Sequence, residues 1–306
     1  MISRRTFLRN ALLGSSGVAA GLALNDLRPD GYTGSPILEE QRIEIVDLPP
    51  AFQGYRIGFL TDIHLGVWVP QAWLIDALET LQRSKIDLLI LGGDYIYVNA
   101  ARAWQTAGAI RNSDYTSLSR PDTAAAIYRD FGTIISRASF PDGIVGVVGN
   151  HEHWNFYPFF IETMRGFPAI KLLINEEHSI SRKGEHLHIF GVDDYVTGIP
   201  LPPPPRKRAK NESRLIISHN PDYIPALLQH NSDPFDFAMC GHTHGGQIRL
   251  PLVGGLLIQI RDERFMAGLA TVDKGSVYTS RGLGVVGLPF RFNCPAEITI
   301  FELQGA

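Results

Sequence analysis

Only two cysteines, Cys240 and Cys294, occur in 306 residues, so at most one internal disulfide can form and the chain is no disulfide scaffold. That count does not settle the compartment. Charge of one sign is also missing: 28 Lys and Arg face 31 Asp and Glu, for a formal charge of −3. With no global attraction to polyanions, and no basic stripe interleaved with aromatics, a nucleic-acid partner is not expected. The uncharged run near the N-terminus, Ala11–Leu24, has 14 residues, short of the roughly 20 that span a bilayer. No G-x-x-x-x-G-K-[ST] segment is present, so a P-loop is excluded. No internal repeat is visible. What is there, 44% hydrophobic and 19% charged residues, is ordinary for a folded enzyme.

The N-terminus reads as an export signal. Ser3-Arg4-Arg5-Thr6-Phe7-Leu8-Arg9 precedes the short Ala- and Gly-rich run, the order of a charged and then an apolar region. The paired arginines resemble the twin-arginine signal, which implies export by the twin-arginine machinery and use in the periplasm or at the outer face of the cytoplasmic membrane. Gly21-Leu22-Ala23 is a candidate cleavage site, and an uncleaved anchor is the alternative. Residues 1–24 hold three arginines and no acid, so the chain without them carries −6. Residues 1–25 are thus assigned to the signal, 26–41 to a linker rich in Gly, Pro and Asp, and 42–306 to a single domain.

Short apolar runs then alternate with helical spacing. Strands are expected near Ile43–Val46, Tyr55–Leu60, Ile86–Leu91, Ile144–Val148, His188–Val192, Leu215–Ser218 and Phe237–Cys240. Helices are expected at Val69–Arg83, Asp122–Ser136, Tyr157–Met164 and Pro221–His230. A polar insertion occupies roughly 97–120, and the tail from about Gly254 to Leu303 is strand-rich with Gly turns. This alternation predicts a layered α/β fold. Leu201–Lys210 contains four consecutive prolines, which no central strand accepts, so it is an exposed loop. Its basic residues, Arg206, Lys207, Arg208 and Lys210, suit a solvated surface or a contact with anionic lipid, polymer or substrate.

Polar, metal-capable residues follow one apolar run after another: Asp62 and His64, then Asp94, then Asn150-His151-Glu152, then His219, then His242 and His244. In a layered sheet this collects them at the carboxyl ends of strands, where sites form. In Asp62-Ile63-His64 and His242-Thr243-His244, alternate residues point the same way if the backbone is extended. Any one of these pairs is weak on its own, since a histidine after a strand is usually a satisfied polar residue. Five in order reverse that judgement.

The five blocks resemble the calcineurin-like metallophosphoesterases, with their D-x-H, G-D, G-N-H-[DE], H and G-H-x-H pattern spread over residues 62–244. Gly241–Gln247, Ser218–Asp222, Ser280–Gly284 and Arg291–Glu297 are similar to the bacterial exported or membrane-associated phosphodiesterase-like branch. Ala296 is a small departure, where that branch often carries a second proline. The resemblance implies an αββα sandwich of two mixed sheets with a dinuclear metal site. One ion would take Asp62, His64, Asp94 and His244, and the other Asp94, Asn150, His219 and His242. It implies hydrolysis of a phosphate ester, a phosphodiester in preference, by a metal-bridging hydroxide. The nitrogen-rich ligand set favours Mn, Fe or Zn over Mg and Ca.

His151 is the candidate general acid for the leaving oxygen, with Glu152 or Asp62 to hold its ring; simple phosphate orientation is the alternative. His153 and Trp154 are expected at the pocket mouth, and Asn220 and Arg281 are weaker candidates for substrate contact. Cys240 ends an apolar strand and is expected to be buried packing. The substrate is a phosphate ester, of lipid or cell-envelope origin in one reading. Two other readings stand: pyrophosphate hydrolysis in a nucleotide-linked lipid such as UDP-diacylglucosamine, and a non-enzymatic metal-containing envelope-binding protein.

Overall fold

Strands alternate their side chains between two faces, and the apolar runs here fill both. The computed structural model describes residues 35–66, 68–98, 121–205, 209–230, 235–255, 260–273 and 275–306. The first half contains β1 (Ile37–Ile45), β2 (Arg56–Leu60), β3 (Leu65–Gly66), α1 (Gln71–Arg83), β4 (Leu88–Leu91), β5 (Ile96–Tyr97), α2 (Pro121–Ile135) and β6 (Ile144–Gly146). Next come α3 (Asn150–Trp154), α4 (Tyr157–Arg165), β7 (Ile170–Leu172), β8 (Glu176–Arg182), β9 (Glu185–Gly191), β10 (Glu212–Ser218) and α5 (Tyr223–His230). The last part holds β11 (Phe237–Cys240), β12 (Arg249–Leu250), β13 (Gly254–Gly255), β14 (Gly268–Val272), β15 (Gly275–Thr279) and β16 (Glu297–Gly305).

Two six-stranded mixed sheets result, ordered β1-β16-β2-β4-β6-β7 and β14-β15-β11-β10-β9-β8. In the first, β2, β4, β6 and β7 are parallel and β16 runs against β2. In the second, β9, β10, β11 and β15 are parallel, with β8 and β14 antiparallel at the edges. Ile57, Phe59, Leu88 and Ile90 of one sheet meet Leu215, Ile217, Phe237 and Met239 of the other in a central core. The alternate residues Leu60, Leu89 and Leu91 turn outward to Leu74, Leu78 and Leu81 of α1 and Tyr128 and Phe131 of α2. On the far side Ile216, Ala238 and Cys240 pack on Tyr223, Ile224 and Leu227 of α5. The layers are helix, sheet, sheet, helix, the expected α/β sandwich.

The expected helices are present with shifted ends: Pro70 caps α1, and Pro158 lies in the first turn of α4. One sequence expectation needs correction, and two strands were not expected. The linker does not extend to residue 41, because β1 begins at Ile37 and pairs in parallel with β16 from Ile37↔Glu297 to Ile45↔Gly305. Its residues Glu39, Glu40 and Arg42 carry no apolar signal, as expected of an edge strand that meets solvent. The polar strand β8 on the opposite sheet was hidden for the same reason, and β7 is only three residues long. The signal segment 1–25, most of the linker, the insertion from 99 to 120 and Arg206–Arg208 lie outside the described residues. No described helix is long and apolar enough to cross a membrane.

Phe301 is fully buried between the sheets, against the rings of Phe59, Phe237 and Tyr278. Phe301→Ala is expected to cost about 3–5 kcal/mol in urea unfolding. A loss below about 1 kcal/mol would mean that the two sheets do not share this core.

Candidate metal centre

Both sheets deliver their polar blocks to the same end. Asp62 and His64 follow β2, Asp94 follows β4, and Asn150 and His151 open α3 just after β6. His219 follows β10, and His242 and His244 follow β11. All of these side chains are buried, His151 being the most exposed of them at 9%.

Five of them adopt a backbone conformation that was not foreseen. Asp62, His64, Asp94, His242 and His244 have φ of 51°, 50°, 55°, 69° and 50°. An extended D-x-H or H-x-H segment would also point alternate residues the same way; here the side chains converge because each turn is left-handed. Such residues are uncommon and cost on the order of 1–3 kcal/mol each unless their surroundings fix them. The surroundings do fix them. Glu152 accepts backbone N–H bonds from Asp94, Tyr95 and Gly149, each at 2.8 Å. The Asp62 N–H donates to the Gly93 carbonyl and the His64 N–H to that of Asp94, both at 3.0 Å. Both Asp62 oxygens accept from the His242 N–H at 3.0 Å. Gly241 is required for close approach, since a Cβ there would overlap Thr61 Oγ1 and Asp62 Oδ2.

The ligand atoms form two groups around Asp94. In one, His64 Nε2 lies 3.6 Å from Asp94 Oδ2 and 3.0 Å from His244 Nε2, which is 3.3 Å from Asp62 Oδ1. In the other, His219 Nε2 lies 3.3 Å from Asp94 Oδ2, and His242 Nδ1 lies 2.8 Å from Asn150 Oδ1. Within Asp62, His64 and His244, and again within Asp94, His219 and His242, one ligand atom per residue lies within 4.8 Å of the others.

These residues fit metal ions. His219 Nδ1 is 2.8 Å from the Gly92 carbonyl and must donate to it, which leaves the Nε2 lone pair aimed at a carboxylate with no hydrogen-bond partner. Two facing lone pairs need a cation or a proton between them. Burial opposes a proton on His219, but Asp94 and Asp62 outweigh it and raise the pKa well above the imidazole range. Burial holds His64 and His244 well below that range, so both are neutral and free to coordinate. Burial, reinforced by Asp94, pushes Asp62 up to about 6 and Glu152 up to about 8, against their hydrogen-bond donors. A cation here would relieve both.

Several roles differ from those expected. Glu152 and Asp62 do not hold the His151 ring; Glu152 binds backbone N–H groups instead. The His151 N–H donates to Asp94 Oδ1 at 2.9 Å, and its Nε2 is 4.0 Å from Asp94 Oδ2. The ring contacts Tyr97 and half-exposed Trp154, at centroid distances of 5.5 and 5.1 Å. His153 turns to Asp193 at 2.9 Å and stacks on Tyr157. Asn220 Oδ1 accepts the Asp222 N–H, a local turn contact. Arg281 lies 3.2 Å from Glu39 and 2.8 Å from Glu297, so its charge is matched inside the protein and not offered to substrate. Both cysteines are free and buried, and burial raises the Cys240 thiol pKa.

Sequence reasoning missed Arg291 as a site residue. It is buried, donates to the carbonyls of Arg281, Gly282, Gly284 and His244, and lies 3.3 Å from His244 Nδ1. It ties the loop after β15 to the loop carrying His244. Only its place in the Arg291–Glu297 stretch hinted at it.

The model of the calcineurin-like phosphoesterases matches residues 55–246. The phosphodiesterase YaeI of Escherichia coli (strain K12) is 30% identical over 304 residues, which cover 99% of this chain and 100% of that protein. The uncharacterized metallophosphoesterase YkuE of Bacillus subtilis (strain 168) is 27% identical over 315 residues, 99% of this chain and 98% of its own. Among solved structures, a dimetal phosphatase from Danio rerio aligns with a TM-score of 0.45 and 13% identity, over 75% of this chain and 88% of that one. The family match covers more than half the chain and contains every residue of the two ligand groups, so this protein belongs to the calcineurin-like phosphoesterases and is a metallophosphoesterase.

Proposed function

We propose that this enzyme hydrolyses a phosphodiester with two transition-metal ions, and that it does so outside the cytoplasm. The observation that carries the two-metal reading is Asp94 Oδ2, set between His64 Nε2 at 3.6 Å and His219 Nε2 at 3.3 Å. Asp62, His64, Asp94 and His244 would hold one ion, and Asp94, Asn150, His219 and His242 would hold the other. Bound there, the pair would supply Lewis acidity for the phosphate oxygens and lower the pKa of an attacking water. The imidazole-rich set suits Mn, Fe or Zn.

The protein's own residues divide the remaining work. Asp94 gives one oxygen to the ligand groups and accepts the His151 N–H with the other, which fixes the start of α3 relative to the centre. The Gly92 carbonyl selects the His219 tautomer that leaves Nε2 free to bind. His151 delivers the proton to the departing oxygen; it is the most exposed imidazole of the cluster and the farthest from Asp94 Oδ2 among the ring nitrogens measured to it. Burial lowers its pKa, which makes the protonated ring a stronger acid. The name of the Escherichia coli relative supports a diester. Arg4-Arg5 and the apolar run after them support export by the twin-arginine route.

Three outcomes are expected. Chelation should abolish hydrolysis and lower the melting temperature, and Mn, Fe or Zn should restore both; full activity in chelator would exclude the metal mechanism. Asp94→Asn should lower kcat/KM at least about 100-fold and reduce bound metal below two ions per chain, as measured by elemental analysis. His151→Ala should slow an alkyl phosphodiester by about 10²–10⁴-fold while sparing an aryl ester, whose leaving group needs no acid. Equal losses on both esters would assign His151 to phosphate orientation instead.

A further inference from the structure

Strand polarity places the start of the folded chain on the same side as the metal centre. Asp62 marks the carboxyl end of β2, and β16 runs against β2 with Thr299 opposite Phe59. The first residue of β16, Glu297, therefore lies at the metal end, and Ile37 pairs with it at the start of β1. Two strand spacings, about 10 Å, separate β1 from β2. The tether between the apolar run Ala11–Leu24 and Ile37 is residues 25–36, which reach at most about 40 Å when extended. A chain held in a membrane by that run would be tethered from the metal side of the fold.

The loops at this end carry exposed apolar side chains. Trp154 closes α3, beside the His151 ring. Val196, Ile199 and Leu201 follow β9, with Ile199 74% exposed. Leu252 is fully exposed at the tip of the β12–β13 hairpin, whose base Gly255 packs on Gly246. The backbone of the loop after β9 is held in place. Asp194 Oδ2 accepts from the N–H groups of Val196 and Thr197, while Asp193 accepts from the Ile199 N–H and meets His153 on α3. A braced loop and a hairpin that hold apolar side chains in water around a phosphoesterase mouth suit an amphiphilic surface better than a small soluble ester.

We propose that the metal end of the sandwich docks on a lipid bilayer, and that the phosphodiester cleaved there belongs to an amphiphile lying in the headgroup layer. This rests on the phosphodiesterase reading for its substrate, but the docking geometry can be tested without turnover. The full chain is bound to phosphatidylglycerol–phosphatidylcholine vesicles, with a nitroxide at Leu252→Cys and, separately, at Lys183→Cys. Lys183 lies in the β8–β9 turn at the opposite end of the sheet. The Leu252→Cys label should become shielded from an aqueous nickel complex and open to lipid-phase oxygen, while the Lys183→Cys label stays aqueous. Equal aqueous exposure of both labels would overturn the proposal, even if the enzyme is active.

A second arm uses the double variant Ile199→Asp/Leu252→Asp. Its kcat/KM on a soluble aryl diester should be unchanged, which also shows that it is folded. Its turnover of a vesicle-embedded phospholipid diester should fall at least about 10-fold. Unchanged turnover on vesicles would overturn docking. Labels that respond as expected in a protein inactive on every diester would sink the phosphodiesterase reading and leave docking intact.

Discussion

Asp94 is a buried carboxylate at which imidazoles from both sheets meet, with Asp62 and Glu152 also buried close by. Three carboxyl groups so near one another repel unless positive charge enters, and the protein's nearby buried cation, Arg291, is turned toward carbonyls and His244. The missing charge has to come from protons or metal ions. That demand ties the fold to the chemistry, because the groups that make the centre costly to fold without a cation are those that bind one.

Placing these groups takes unusual backbone. Left-handed turns at Asp62, Asp94 and His242 point side chains from neighbouring strand ends into one volume. They are kept by contacts distant in sequence: Glu152 reaches back to residues 94 and 95, and Asp62 crosses to the His242 N–H. The two sheets bring these partners together, and the central core around Phe301, Phe59 and Phe237 holds the sheets in register. Damage to that core would therefore reach the metal centre through the spacing of the two sets of strand ends.

Much of the fold and of the site was legible in the sequence because burial and chemistry leave local marks. The apolar runs before Asp62, Asp94, Asn150, His219 and His242 mark central strands, and the side chains behind them mark the centre. The first half of β1 and the whole of β8 left no such mark: each lies at a sheet edge with polar residues facing water, so hydrophobicity reveals only Ile43 and Ile45 at the end of β1. The Glu152 and Arg291 contacts were invisible for another reason. Apart from the Gly149 N–H, three residues before Glu152, their backbone partners are brought close only by the finished fold, and no spacing in the chain encodes them. Arg281 shows the converse, since an arginine near a site invites a substrate role until Glu39 and Glu297 are seen beside it.

The central claim is that two ions share Asp94. Anomalous diffraction from crystals of the protein grown with Mn, collected at the metal edge, tests it most directly. Two peaks about 3.5–4 Å apart on either side of Asp94 Oδ2 are expected, one against His64 and His244 and the other against His219 and His242. A single peak, or two peaks that do not share the Asp94 carboxylate, would contradict it.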